Sequence, residues 1–265
     1  MTKKERADAM GDRLKAYETV ETDQRFPPNT LIYARLDGRS FSKFTKGLAR
    51  PWDGRLSNMM IDVTKSLVKE FNALTGYTQS DEISLIFLNK YETPMIFDGK
   101  KQKLLSTIAG HASAVFNALL PSCLPEKIGK YPIFDCRMYP LPSVDAGNAF
   151  LWREQDAMRN SVSMLAQYYF SHKELIGKST VDKIDMLRAQ KAVIWDDCPD
   201  FFKHGTYIKR VGRVKVNPEY PDQPTIRHAI EVIPGNLTAI PSFADRHAFV
   251  VSNEWADYPV ELMGS

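Results

Sequence analysis

The 265-residue chain predicts an α/β or α+β fold, a sheet sandwiched or backed by helices, and three observations point there. Apolar residues recur at helical spacing in three long segments. The runs between them read as strands, one of them apolar at nearly every position and so covered on both faces. The two patterns alternate as strand, helix, strand, helix, strand, helix. Composition agrees, with 43% apolar and 25% charged residues, ordinary proportions for a chain that buries a core.

The elements follow in order. The first twenty residues read as an amphipathic helix with Met10, Leu14 and Tyr17 at helical spacing, ended by "RFPPN". "TLIYARL" is a strand closing on Asp37-Gly38. "RLSNMMIDVTKSLVKEFNALTG" places Leu56, Met59, Met60, Val63, Leu67, Phe71 and Leu74 on one helical face, with Gly76 as its C-terminal stop. "EISLIFL" is the strand apolar throughout. "KLLSTIAGHASAVFNALLP" carries Leu104, Ile108, Ala112, Val115 and Leu119 and is expected to stop at Pro121. "YPIFDCRMYPLP" is a strand, and "AFLWREQDAMRNSVSMLAQYYF" a long helix burying Met158, Val162, Leu165 and Tyr169. The last 65 residues turn to short strands and Pro-rich loops, with "GTYIKRVGRVKV" as the clearest strand pair.

The bulk properties exclude several classes. Net charge is +3, from 35 basic and 32 acidic side chains, so a nucleic-acid partner must be met by a local patch. The three cysteines, Cys123, Cys136 and Cys198, lie far apart without a CxxC pair, as in a reduced, cytoplasmic protein. The charged N-terminus lacks a signal peptide's apolar stretch, and no segment is expected to reach the length of a membrane span. "GKST" at Gly177 to Thr180 is not a phosphate-binding P-loop, because His172 stands where the motif needs its first glycine. Ser179-Thr180 reads instead as a helix N-cap. His111 falls within a helical repeat and reads as packed.

Two acidic sites stand at comparable places: Asp37 ends the first strand, and Asp81-Glu82 opens the next. If those strands are neighbours the carboxylates converge, and carboxylates on adjacent strand ends suit a hard divalent cation. Gly38 lets its backbone approach an ion or phosphate closely. Each pair taken alone also reads as plain turn residues. The basic company favours the former reading, since Arg35, Arg39, Lys43, Lys46, Arg50 and Arg55 face only Asp37 and Asp53 in that segment. Lys100, Lys101 and Lys103, and then Lys203, Lys209, Arg210, Arg213 and Lys215, are further clusters that suit a nucleic-acid backbone or simply solubility.

Together "RLDGRSFSKFTKGLARPWD" and "GYTQSDEISLIF" resemble the histidine-tRNA guanylyltransferase family, the 3′-to-5′ RNA polymerases. The resemblance continues in family order through "FDGKKQKLLSTIAGHASAVF", "FDCRMYPLPS", "FLWREQDAMRNSV" and "DDCPDFFKHGTYIKR", over about residues 10–216. It implies a sheet like the palm of DNA polymerases in residues 1–142, completed into one compact unit by 143–265. It implies two magnesium ions on Asp37, the Gly38 carbonyl and Asp81, with Glu82 as a third catalytic acid. It implies a phosphate cradle from Asp37 through Gly38, Arg39, Ser40, Phe41 and Ser42, with Ser80 opposite, and triphosphate or RNA 5′-end contacts from Arg50, Lys103, Asn160 and Lys191. ATP, GTP or other nucleoside triphosphates and the 5′ end of tRNA are the implied substrates, and a homo-oligomer, a tetramer by analogy, the implied assembly.

The sequence departs from the eukaryotic pattern. Ser42 stands where those members carry histidine, and Met158-Arg159-Asn160-Ser161 replaces their His-x-Asn-Asn. Arg159-Asn160 is similar to the guanylyltransferase-like, tRNA-repair branch, which makes templated 5′-end repair the expected activity and addition of one extra guanosine to histidine tRNA the alternative. A palm-type nucleotide cyclase, which needs no RNA, and a non-catalytic tRNA-binding protein are the other readings; the intact Asp37, Asp81 and Glu82 argue against the last.

Overall fold

The computed structural model describes residues 3–92, 95–217 and 220–252, and of 3–8 and 213–227 within these the backbone alone. The Arg213 and Lys215 side chains, expected in a basic cluster, lie outside the described residues, as does the chain beyond 252. A helix, α1 (Lys3–Thr22), leads into strand β1 (Thr30–Gly38), a one-turn helix α2 (Phe41–Phe44) and helix α3 (Gly54–Glu70). Strands β2 (Thr75–Gln79) and β3 (Glu82–Asn89) precede helix α4 (Lys101–Cys123), strand β4 (Phe134–Leu141) and the long helix α5 (Ala146–Tyr169). Then come α6 (His172–Leu175), α7 (Thr180–Lys191), α8 (Asp200–Lys203), strands β5 (Thr206–Asn217) and β6 (Tyr220–Pro234), and α9 (Phe243–Val251).

The strands form one antiparallel sheet in the order β4-β1-β3-β2-β5-β6. Alternate residues take opposite faces. Ile32, Ala34, Leu36, Ile83, Leu85 and Phe87 pack beneath α3 and α4, while Tyr33, Tyr77, Ile86 and Tyr207 pack beneath α5 and α9. β3 is therefore buried on both sides, as its continuous apolar run predicts. Under the first layer, Phe41, Phe44, Phe116 and Phe134 form an aromatic cluster with ring centroids 5.1–5.7 Å apart. His111 is packed as expected, its ring edge-on to Phe71 and its Nε2 2.8 Å from the Ser66 hydroxyl. The Ser179 cap is also present, in a reciprocal box with Asp182.

The sheet with helices on both faces agrees with the expected palm-like class, and several finer expectations are corrected. Gly76 lies within β2 rather than ending α3, because Thr64 and Val68 of α3 press on that strand so closely that a Cβ would stand 2.7 Å from Thr64 Cγ2. α4 continues through Pro121, which sits in its last turn. At 23 residues α4 is also long and apolar enough to cross a membrane, contrary to expectation, but Leu104, Ile108, Ala112, Phe116 and Leu120 face the core. α1 is helical, yet Met10, Leu14, Tyr17 and Val20 are exposed. α5 buries Arg153 and Glu154 while Tyr169 is exposed and Met158 half-buried. "GTYIKRVGRVKV" is one strand of a long β5–β6 hairpin, not a short pair. Lys209, expected on a basic surface, is buried, with Nζ 2.8 Å from Thr75 Oγ1 and 2.9 Å from the Ser252 carbonyl and also bonded to that of Phe249.

The Gly76 contact yields a stability prediction. Gly76→Ala overpacks the α3–β2 interface and should destabilise the protein by about 1–3 kcal/mol. A urea unfolding midpoint equal to that of the wild type would contradict it.

Candidate active site

The β1–β3 ladder sets Asp37 directly opposite Glu82, and Asp81 occupies the β2–β3 turn beside them. The Gly38 amide donates to the Asp81 carbonyl at 3.2 Å, tying that turn to the end of β1. Gly38 has no room for a side chain, because a Cβ there would overlap the Phe41 ring. Two non-glycine residues with positive φ flank the carboxylates: Ser40 at 58° and Ser80 at 50°. Such conformations cost free energy and gather where a chain is held for function.

A cleft of about 600 Å³ opens over this end of the sheet. Asp37, Ser80, Asp81 and Glu82 form its floor; Arg50, Trp52 and Asp53 line one wall; Arg153, Asn160, Gln167 and Tyr168 of α5 line the other, with Phe202 nearby. Trp52 and Phe202 stack with centroids 4.6 Å apart. Burial raises the Asp81 carboxyl above the ordinary carboxylate range and the charge of Asp37 raises it further, while the Ser80 hydroxyl, donating at 3.1 Å, partly offsets this. Burial likewise raises Glu82. Arg153 opposes it with a forked pair, Nε to Oε1 at 2.5 Å and Nη2 to Oε2 at 2.7 Å.

The fit to a metal can be judged from these donors. Asp37, Asp81 and the Gly38 carbonyl make an oxygen-only set, and no described side-chain cation pairs with either aspartate. An acidic pair left without a counter-charge suits a hard divalent ion such as magnesium. Among the described residues no group of three His, Cys, Asp or Glu side chains forms a metal cage. An ion here would take its other ligands from phosphates and water.

The expected site residues divide into three groups. Asp37, Ser80, Asp81, Glu82, Arg50 and Asn160 line the cleft, and Gly38 is tied to its floor by the bond to the Asp81 carbonyl, while Arg39, Ser40 and Ser42 lead from there into α2. Phe41 joins them only through its backbone, its ring being buried in the aromatic cluster, and the Arg39 amide is already spent on the Ile133 carbonyl at 2.9 Å. Lys103 and Lys191 are not brought to the cleft. Lys103 packs over Phe97 in the first turn of α4, whose start is tied to the segment before β1 by the bond from the Lys101 amide to the Gln24 carbonyl. Lys191 packs over Phe170, the C-cap of α5 two residues beyond Tyr168 at the cleft's edge, and does not itself line the cleft. Arg55 is held by Asp53 and Glu126, both at 2.8 Å, so it is not free for a phosphate.

Sequence reasoning missed Arg153, Trp52, Tyr168 and Phe202. For Arg153 a signal existed: it stands three residues after Phe150 and four before Ala157, both buried, so the helical period places a charge on the core side. Asn160 and Arg159 both donate to Asp156, at 3.3 and 3.2 Å, and Ser161 is buried, its hydroxyl accepting from Trp195 Nε1 at 3.0 Å.

The tRNAHis guanylyltransferase (Thg1) family model matches residues 11–142. The chain is 32% identical over 227 residues to an uncharacterised protein of Acanthamoeba polyphaga mimivirus, covering 77% of each. To the tRNA(His) guanylyltransferase of Saccharomyces cerevisiae it is 26% identical over 212 residues, covering 73% of this chain and 88% of that one. Among solved structures it is similar to a bacterial Thg1-like protein in complex with ATP, at TM-score 0.72 and 34% identity over 82% of this chain and 91% of that one. It is similar also to one in complex with GTP, at TM-score 0.72 and 30% identity over 91% and 97%.

The raised Asp81 carboxyl has a consequence for stability. A carboxyl whose folded-state pKa exceeds its unfolded value contributes stability that is present at low pH and lost as pH rises through the folded value. In metal-free protein, Asp81→Asn should therefore raise Tm at neutral pH, and the gain should shrink as pH falls through the acidic range. A neutral-pH Tm below that of wild type would contradict the assignment.

Proposed function

Because the chain belongs to the tRNAHis guanylyltransferase (Thg1) family, we propose that it is a magnesium-dependent nucleotidyltransferase that extends tRNA at its 5′ end, in the 3′-to-5′ direction, as a templated repair enzyme of the cytoplasm. The observation that carries this is the Asp37–Asp81 pair, which no described side-chain cation pairs with, on the floor of a cleft large enough for a nucleotide. Relatives with bound ATP and GTP support nucleoside triphosphates as substrates.

Two similar steps follow. The 5′-monophosphate of the RNA attacks the α-phosphate of ATP, giving an adenylylated end and releasing pyrophosphate. The 3′-hydroxyl of the incoming nucleotide then attacks the RNA phosphate of that end and AMP leaves. Bound magnesium would supply charge neutralisation on the phosphates and a more acidic attacking hydroxyl. The chain's own share is positioning. Asp37, Asp81 and the Gly38 carbonyl would hold the ions, Ser80 orients Asp81, Arg50 offers a guanidinium to phosphate from the cleft wall, and Asn160 offers an amide from the opposite one.

Repair is favoured over dedicated guanosine addition by the Met158 to Ser161 segment. Ser161 there accepts a hydrogen bond from Trp195, and among the described residues no histidine lines the cleft. The specialised activity is the second reading, and it draws on the names of the curated relatives.

Two outcomes test the proposal. RNA bearing a 5′-triphosphate should be extended without ATP, since its end is already activated; a persisting ATP requirement would overturn the order of steps. With 5′-truncated tRNAs, changing the template base opposite the growing end should change the nucleotide added to its complement. Guanosine addition opposite every template base, confined to histidine tRNA, would favour the second reading instead.

A further inference from the structure

We infer that Arg153 is a positioning residue that withholds Glu82 from the metal ions, leaving Asp37 and Asp81 as the carboxylates that bind them; this rests on the metal-dependent reading above. Glu82 is otherwise well placed to be a third ligand. It faces Asp37 across the β1–β3 ladder and follows Asp81 in the chain. Yet both its oxygens are taken by the Arg153 fork, and the side chains are only 11% and 8% exposed. A buried pair of this geometry does not open cheaply, because either charge left alone would be desolvated without a partner.

Arg153 is itself held from three sides. Its Nη2 also donates to Asp156 at 3.0 Å, its guanidinium lies 4.7 Å from the Trp152 ring centroid, and its backbone belongs to α5, whose next residue, Glu154, accepts from the Leu237 amide at 2.8 Å and the Tyr207 hydroxyl at 3.0 Å. The fork is thus fixed by neighbours outside the cleft.

The consequence concerns ligand charge. Affinity for a hard divalent ion rises with the number of carboxylates offered, and magnesium at nucleotide sites is bound through one or two carboxylates plus substrate phosphates. With Glu82 neutralised, the floor offers two. The ions then bind weakly until a triphosphate completes the sphere, and can leave with pyrophosphate. A third free carboxylate would retain them.

The test is titration of the full chain with manganese alone, read by electron paramagnetic resonance of free Mn²⁺, with folding followed by circular dichroism. Arg153→Met, which frees Glu82, should tighten Mn²⁺ binding by about tenfold or more. The paired variant Glu82→Gln with Arg153→Met leaves no buried charge unpaired, so it should fold and keep wild-type affinity within about threefold. Asp81→Asn should weaken binding by about tenfold or more. A gain of affinity cannot arise from mere disruption, which separates positioning from a structural role. If the paired variant loses affinity as Asp81→Asn does, Glu82 is a ligand and the inference is overturned. No tightening in folded Arg153→Met overturns it as well. Wild-type affinity in Asp81→Asn would instead overturn the two-carboxylate reading itself.

Discussion

The antiparallel register of β1 against β3 is the constraint on which the rest depends. It places Asp37 opposite Glu82 and beside the turn that carries Asp81, and three carboxylates would not gather in a half-buried place by their own preference. Sheet hydrogen bonds, the Gly38–Asp81 backbone bond and a strand buried on both faces hold them there. Behind the sheet, α3 and α4 supply the apolar layer and the aromatic cluster that seats Phe41 over Gly38. The elements that look purely structural therefore bear directly on the site, because a one-residue slip of β1 would turn Asp37 into the core.

The opposite layer sets the charge. α5 crosses the sheet with two adjacent buried ionisable residues that reach in different directions: Arg153 to Glu82 on the cleft floor, and Glu154 to Tyr207, Leu237 and Thr238 of the C-terminal region. The β5–β6 hairpin and the loop after it thereby anchor the helix that aims Arg153. Lys209 extends the same coupling, bonding the end of α9 to Thr75 of β2, and burial lowers its ammonium to about 7. Polar groups placed this deep hold a single arrangement only while each keeps its partners.

Much of this was legible in the sequence because it rests on local pattern. The apolar run of β3, the Ser179 cap and the periods of α3 and α4 rest on adjacent residues, whereas the convergence of Asp37 with Asp81-Glu82 is conditional on their strands being neighbours, as the β1–β3 register makes them. What escaped depends on contacts distant in sequence. Gly76 looked like a helix stop because its reason for being glycine, the press of Thr64 and Val68 on β2, is tertiary. Pro121 is tolerated in a last helical turn, and Lys209 looked like surface because no local rule sees that it satisfies the carbonyls of Phe249 and Ser252. The resemblance carried Lys103 and Lys191 toward the triphosphate, whereas the fold of this chain places them over Phe97 and Phe170.

The central claim is that Asp37 and Asp81, converged by the strand register, carry the ions for nucleotidyl transfer. Single-turnover transfer to a 5′-triphosphorylated RNA in saturating magnesium tests it most directly, with Asp37→Ala and Asp81→Ala compared against wild type. The account predicts a loss of about a thousandfold or more in each variant with folding intact. Transfer near the wild-type rate by either folded variant would contradict it.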